Sequence, residues 1–325
     1  MRAALLLLTA TMLAALGPIS FPGGERGTGF DDLGFAPAID RVLVPGGRTG
    51  TLMLIEPATQ KAETIGGFSE QTEYGGGHGE GITSADEGRG FLFVTDRTSK
   101  RLDVVDPRTR KIVAYAPLGA GPDYVRFVAD TGEVWVTEPS AVRIEVFSLA
   151  GGDTPKPARA GLIEVPGGPE SLVIDNARGR AYTNLWGGAS VAIELKQRKI
   201  AARWPNGCKG SRGIALDEKR GLLFVGCEEG RLSVIDVSSG KRLGQVSSGR
   251  GVDIIAYNSA LAHAYLPGAD SATMATIAVA SDGAPTVIGT TPTARGAHCA
   301  AADNRGQVYV CDPLRGRILV FRDAP

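Results

Sequence analysis

The chain has 325 residues, and its 35 Lys and Arg balance 35 Asp and Glu, so the formal net charge is zero. This excludes the basic footprint expected of a nucleic-acid binder or an anionic-membrane binder. Its 45 glycines are about twice the usual ~7% share, which with many short apolar runs favours an all-β architecture.

The N-terminus reads "MRAALLLLTATMLAALG". One Arg precedes a run of Ala, Leu, Thr and Met that breaks at Gly17-Pro18, the pattern of a secretory leader. The run is shorter than the roughly 20 apolar residues a membrane-spanning helix needs. Residues 1–17 are therefore expected to be a signal peptide, and 18–325 a single exported domain, periplasmic or extracellular, with no membrane insertion.

A short phrase then recurs along the chain: "VLVPG" (42–46), "LFVTD" (92–96), "VWVTE" (134–138), "AYTNL" (181–185), "LFVGC" (223–227), "AYLPG" (264–268) and "VYVCD" (308–312). Most copies follow a short apolar strand and a turn, as in "SLVIDNARGR" (171–180). Several lead into two further alternating strands, as in "LSVIDVSSGKRLGQVSSG" (232–249). Each unit reads as four strands joined by hairpins. Seven such units at intervals of about 40 to 50 residues predict a seven-bladed β-propeller with four antiparallel strands per blade. The last unit stops after its third strand, "RILVFRD" (317–323). The segment "ISFPGG" (19–24) mirrors "IEVPGG" (163–168), the end of an internal fourth strand. The N-terminal strand is thus expected to complete the last blade and cover its open edge.

These phrases resemble the YVTN-type, YncE-like propeller repeat. "LFVTD", "VWVTE" and "VYVCD" stand at that family's second-strand motif, and "LSVIDVSSGKRLGQV" looks like its third and fourth strands. The resemblance covers the mature chain and implies a secreted or periplasmic binding propeller. A looser similarity runs to six-bladed gluconolactonase-like propellers, which hold a divalent metal with Glu, Asn and Asp side chains.

In a propeller the starts of the inner strands and the ends of the second strands share one face of the central channel. Aligning the units on their first hairpin gives inner-strand starts at Asp32 or Asp31, at Gly81 with nearby His78 and Glu80, and at Asp123, Glu170, Arg212, Asp253 and His298. Second-strand ends fall at Asp96, Glu138, Asn184, Cys227 with Glu228, and Asp312. A polar, mostly acidic channel mouth follows as the candidate ligand-binding face, formed by His78, Glu80, Asp123, Glu138, Glu170, Asn184, Arg212, Asp253, His298 and Asp312. Crowded carboxylates raise one another's pKa unless a cation sits among them. A Ca²⁺-type ion on Glu170, Asn184, Asp123 and Asp253 is the alternative that hard oxygen ligands support. Adding His298 and His78 tilts that set toward zinc. "GGGHGEG" (75–81) is expected to be a loop over the mouth, and Trp186 is the tryptophan expected to reach the face.

Four cysteines in an exported protein should pair. With the last hairpin turning at 304–306, Cys299 falls opposite Cys311, within reach of a bridge. Cys208, in the loop entering the fifth unit, can meet Cys227 at the end of that unit's second strand. No Cys-x-x-Cys, Gly-x-Ser-x-Gly or placeable Ser-His-Asp set occurs. The leading expectation is a monomeric propeller binding a small molecule or protein partner without covalent catalysis and with no certain cofactor. The alternatives are a metal-dependent hydrolase or lactonase, with the ion polarising a carbonyl, and a structural envelope scaffold.

Overall fold

The computed structural model describes residues 12–323, so most of the expected leader lies outside the described residues. Seven four-stranded antiparallel sheets form a ring, each with its strands in chain order from the channel outward. The exception is the last sheet, where Ala300–Ala302, Gln307–Asp312 and Arg317–Arg322 are completed on the outside by Ala14–Ser20. Among the described residues the only helical piece is the short 3-10 turn Pro139–Ala141, and no helix is long and apolar enough to cross a membrane.

Burial explains why the recurring phrase is the least variable part of each unit. The second strand, such as Phe91–Asp96 or Gln307–Asp312, is sandwiched between neighbouring blades and is almost wholly buried. Outer strands such as Lys111–Pro117 alternate between exposed and covered positions. Valine, leucine and phenylalanine suit the first environment and a period-two pattern suits the second. Tyrosines inside the sheets find carboxylates at the preceding hairpin: Tyr182 donates to Asp175 at 3.1 Å and Tyr309 to Asp303 at 3.3 Å. Each tie satisfies a buried hydroxyl that would otherwise cost free energy.

The closing strand copies the internal outer strands in detail. Blades two to six each carry a bulge between third and outer strands, for example at Val146/Phe147 and Val234/Ile235. The N-terminal strand has the same irregularity, with Ala15 opposite Phe321 and Gly17 opposite Val320, which leaves Leu16 as the extra residue. Gly17 takes the place held by Gly161, Gly244 and Gly289 in blades three, five and six. The mirrored turn is reproduced as well. Phe21 N donates to Gly316 O at 2.9 Å, as Val165 N does to Val142 O at 2.8 Å. The blade strand therefore begins at Ala14, inside the segment read as leader.

Both expected cysteine pairs are present. Cys299 and Cys311 face each other across the last hairpin with a Cα separation of 5.6 Å, and Cys208 and Cys227 are 5.2 Å apart.

Candidate functional site: the channel mouth

The loop before the second blade lies over the channel and carries His78. Arg48 anchors it: Arg48 O accepts from Gln71 N at 2.7 Å, and the guanidinium donates to Gln71 O at 3.0 Å. The loop ends at Gly81, with φ of +70° and a Cβ position only 1.9 Å from Gly47 O, where no other residue fits. Six of the ten expected face residues gather here. His78, Asp123, Glu170, Arg212, Asp253 and His298 all line two hollows of about 640 and 390 Å³ that share His78 and Arg212.

These side chains form two linked charge groups. His78 is held between carboxylates, with Nδ1 2.9 Å from Asp31 Oδ2 and Nε2 3.3 Å from Asp253 Oδ2. The Asp31 charge raises the imidazole pKa to about 11 against the opposing effect of burial, with hydrogen bonds to Asp253 and Asp31 adding to the rise. Burial works to raise Asp253, but the His78 hydrogen bond and nearby positive charges outweigh it and bring it down to about 2. Arg97 reaches Asp123 at 2.5 Å and Asp31 at 3.3 Å and donates to His78 O at 2.7 Å. Burial holds the Asp123 pKa well above its ordinary value, and the neighbouring Asp31 adds to this.

Arg212 centres the second group. It donates to Glu170 at 2.8 Å and to Glu228 at 3.0 Å, and its guanidinium lies 4.2 Å above the Trp186 ring. That stacking joins an exposed indole to a fixed cation. Burial pushes Glu170 up to about 7 despite the Arg212 hydrogen bond. His298 stacks on His78 with ring centroids 5.3 Å apart, and its ring nitrogens stand 2.7 and 2.9 Å from the carbonyl oxygens of Gly296 and Phe30.

The other four expected residues sit elsewhere. Glu80 is exposed on the loop, beside a small niche lined by Arg48 and Tyr74. Glu138, Asn184 and Asp312 are buried behind the face. Glu138 accepts from Arg143 and from Ala120 N. Asn184 donates to the carbonyls of Arg212 and Gly213 and accepts from Ser190, latching blade four to blade five. Asp312 pairs with Arg317 at 2.8 Å. In blades two to seven the mouth is lined instead by the residue just past the second strand: Arg97, Pro139, Trp186, Glu228, Ala269 and Pro313. A one-residue step along a strand turns a side chain to the opposite side. This offset is why Arg97 escaped sequence reasoning although it directly follows "LFVTD". Asp31 and Asp32, left undivided in the sequence, separate for the same reason. Asp31 points to His78 and Asp32 down the channel to Arg126.

The oxygen set Glu170, Asn184, Asp123 and Asp253 does not make a cage for a hard cation. Asn184 has its amide committed between blades, and Glu170 and Asp123 are each paired with an arginine. Among the described residues, the close groups of three ionisable ligands are His78–Asp253–His298 and a second that consumes the bridged Cys299 and Cys311.

No family model and no curated protein matches the sequence. Solved structures match the whole ring. A chain in "Crystal Structure of Mitotic Checkpoint Complex" superposes with a TM-score of 0.79 at 10% identity, over 100% of this chain and 96% of that one. A chain of "Kuenenia stuttgartiensis Hydrazine Synthase" gives 0.72 at 12% identity, over 92% and 96%. At such identities the likeness concerns the fold alone, and the fold these comparisons and the geometry establish is the seven-bladed β-propeller.

Proposed function

We propose that this chain is an exported propeller of YVTN type that binds a small polar molecule carrying both charges, or a chain end of that kind on a protein partner, at its channel mouth without covalent catalysis. The observation that carries this reading is the hollow of about 640 Å³ bordered by Arg295 and Asp270. Both are exposed, and among the described residues neither has an ion-pair partner. The other charges of the mouth are already paired with one another, so these two remain to meet opposite ends of a ligand. Arg212 borders the same hollow, and its guanidinium lies over Trp186, which lines the adjoining hollow of about 390 Å³. Two cysteine bridges support an oxidising compartment, and the absence of an activated nucleophile pattern in the sequence supports binding over covalent chemistry.

A panel of amino acids and short peptides, followed by tryptophan fluorescence and by shifts in melting temperature, tests the reading. The exposed Trp186 should report occupancy, and Arg295→Ala or Asp270→Asn should weaken binding about tenfold or more. Turnover of any compound that is lost in the Glu170→Gln protein would overturn the non-catalytic part. A ligand whose affinity ignores both Arg295→Ala and Asp270→Asn would overturn the assignment of the site.

A further inference from the structure

Three segments far apart in the chain bring nitrogen and oxygen ligands together at the mouth. His78 comes from the loop over the channel, Asp253 from the start of the sixth blade and His298 from the start of the seventh. One ligand atom from each lies within 4.8 Å of the other two. We propose that His78, Asp253 and His298 hold a divalent transition metal of the zinc class, with Asp31 as a positioning residue behind His78. This inference does not depend on the ligand reading above.

The geometry supports the set at several points. His78 Nε2 and Asp253 Oδ2 are 3.3 Å apart. That separation is close to the edge of a tetrahedron built on metal bonds of about 2.0–2.1 Å, so a metal can take the place of the shared proton with little movement. His78 Nδ1 is turned toward Asp31 Oδ2 at 2.9 Å, and the Asp31 side chain is only 2% exposed. A metal-bound imidazole is commonly fixed through its second nitrogen by such a carboxylate, which sets the ring orientation and raises its basicity. His298 has backbone carbonyls beside both nitrogens. Turning the ring gives one nitrogen to the metal and leaves the other on a carbonyl, the second partner usual for a ligating histidine.

The choice of metal follows from the donors. Two imidazoles and one carboxylate disfavour Ca²⁺ and Mg²⁺, which take oxygen ligands. Sulfur is not available, because Cys299 and Cys311, next to His298, are bridged to each other. Three protein ligands leave a fourth position, and His78, Asp253 and His298 all border the 640 Å³ hollow. A metal here would therefore face solvent and any molecule in the hollow.

The test is zinc titration of chelator-treated, dialysed full-length mature protein by calorimetry, with cobalt absorption as a second readout. One ion per chain is expected, with a cobalt spectrum of tetrahedral intensity. His78→Ala, Asp253→Asn and His298→Gln should each weaken zinc at least tenfold. Asp31→Asn should weaken it about tenfold to a hundredfold, with the folded melting transition retained. Val113→Ala, exposed on an outer strand away from the mouth, should bind zinc as the parent does. Absence of zinc and cobalt uptake by the parent protein would overturn the proposal. So would affinity unchanged in a folded His78→Ala, His298→Gln double variant, because the metal would then sit elsewhere.

Discussion

Arg126 grips Asp32 through two hydrogen bonds, of 2.6 and 3.0 Å, and so ties the third blade to the segment that enters the first. The Asp32 side chain is 3% exposed and Arg126 19%, which places the pair in the channel wall, away from bulk solvent. Ser84 of the second blade donates to the same carboxylate at 2.5 Å. Three blades thus meet on one aspartate. Removing one member leaves the other charge buried without a partner, which costs about 3–5 kcal/mol. Arg126→Ala should lower the free energy of unfolding by that amount in urea titration. A loss below about 1 kcal/mol would mean that water in the channel substitutes for the arginine.

The cysteine bridges should contribute unequally. Cys208–Cys227 spans 19 residues and Cys299–Cys311 spans 12, and the loop-closure contribution grows slowly with span, with bridges typically worth about 2–4 kcal/mol. Cys208→Ser/Cys227→Ser should therefore reduce stability somewhat more than Cys299→Ser/Cys311→Ser. The first bridge also secures the loop leading to Arg212, so its loss should weaken the ligand binding proposed for the mouth. Melting curves of the two double variants, with and without reductant, check the ranking, and tryptophan-fluorescence titration of the Cys208→Ser/Cys227→Ser protein checks the binding. Reductant should leave the quadruple serine protein unaffected.

The outer strand of the last blade requires Ala14 and Ala15, which pair with Arg322 and Phe321. A mature protein starting at Pro18 would keep only the pairs from Pro18 to Ser20 with Leu319 to Arg317. If a leader is removed from this chain, cleavage is expected at or ahead of Ala14, and intact-mass measurement of the processed protein checks it. Recombinant protein starting at Pro18 should melt several degrees below one starting at Met12. Phe21, buried beside Phe30 with ring centroids 5.4 Å apart, anchors the end of the same strand. Phe21→Ala should cost about 3–5 kcal/mol.

Glu170 makes the mouth sensitive to pH near neutrality. Its folded-state pKa is pushed up to about 7, chiefly by burial, from an ordinary 4.5. A carboxyl raised in this way holds its proton more tightly when folded. Its contribution to stability is present below about 4.5 and is lost as the pH rises through about 7. At about 1.4 kcal/mol per unit, the change amounts to roughly 3 kcal/mol. The Glu170→Gln protein should show a flatter stability profile between pH 5 and pH 8 than the parent. Parallel profiles would show that Arg212, 2.8 Å away, keeps Glu170 ionised throughout.

Much of this molecule is written locally. The recurring second-strand phrase, the spacing of its hairpins and the missing fourth strand of the last unit determined seven blades closed by the N-terminus. The Cys299–Cys311 pairing followed from one hairpin's register. Inner-strand starts such as Asp123, Glu170 and His298 were legible because each follows from position within its own repeat. Tertiary structure decided what repeat position leaves open. Whether Asp312 or Pro313 faces the mouth depends on a single step of strand register, and that step turns a side chain from the channel to the interior. The meeting of His78 with Asp31 and Asp253 depends on how the loop before the second blade lies across a ring closed elsewhere. No periodicity encodes that distance, because the residues belong to different repeats and come together only when the ring is complete.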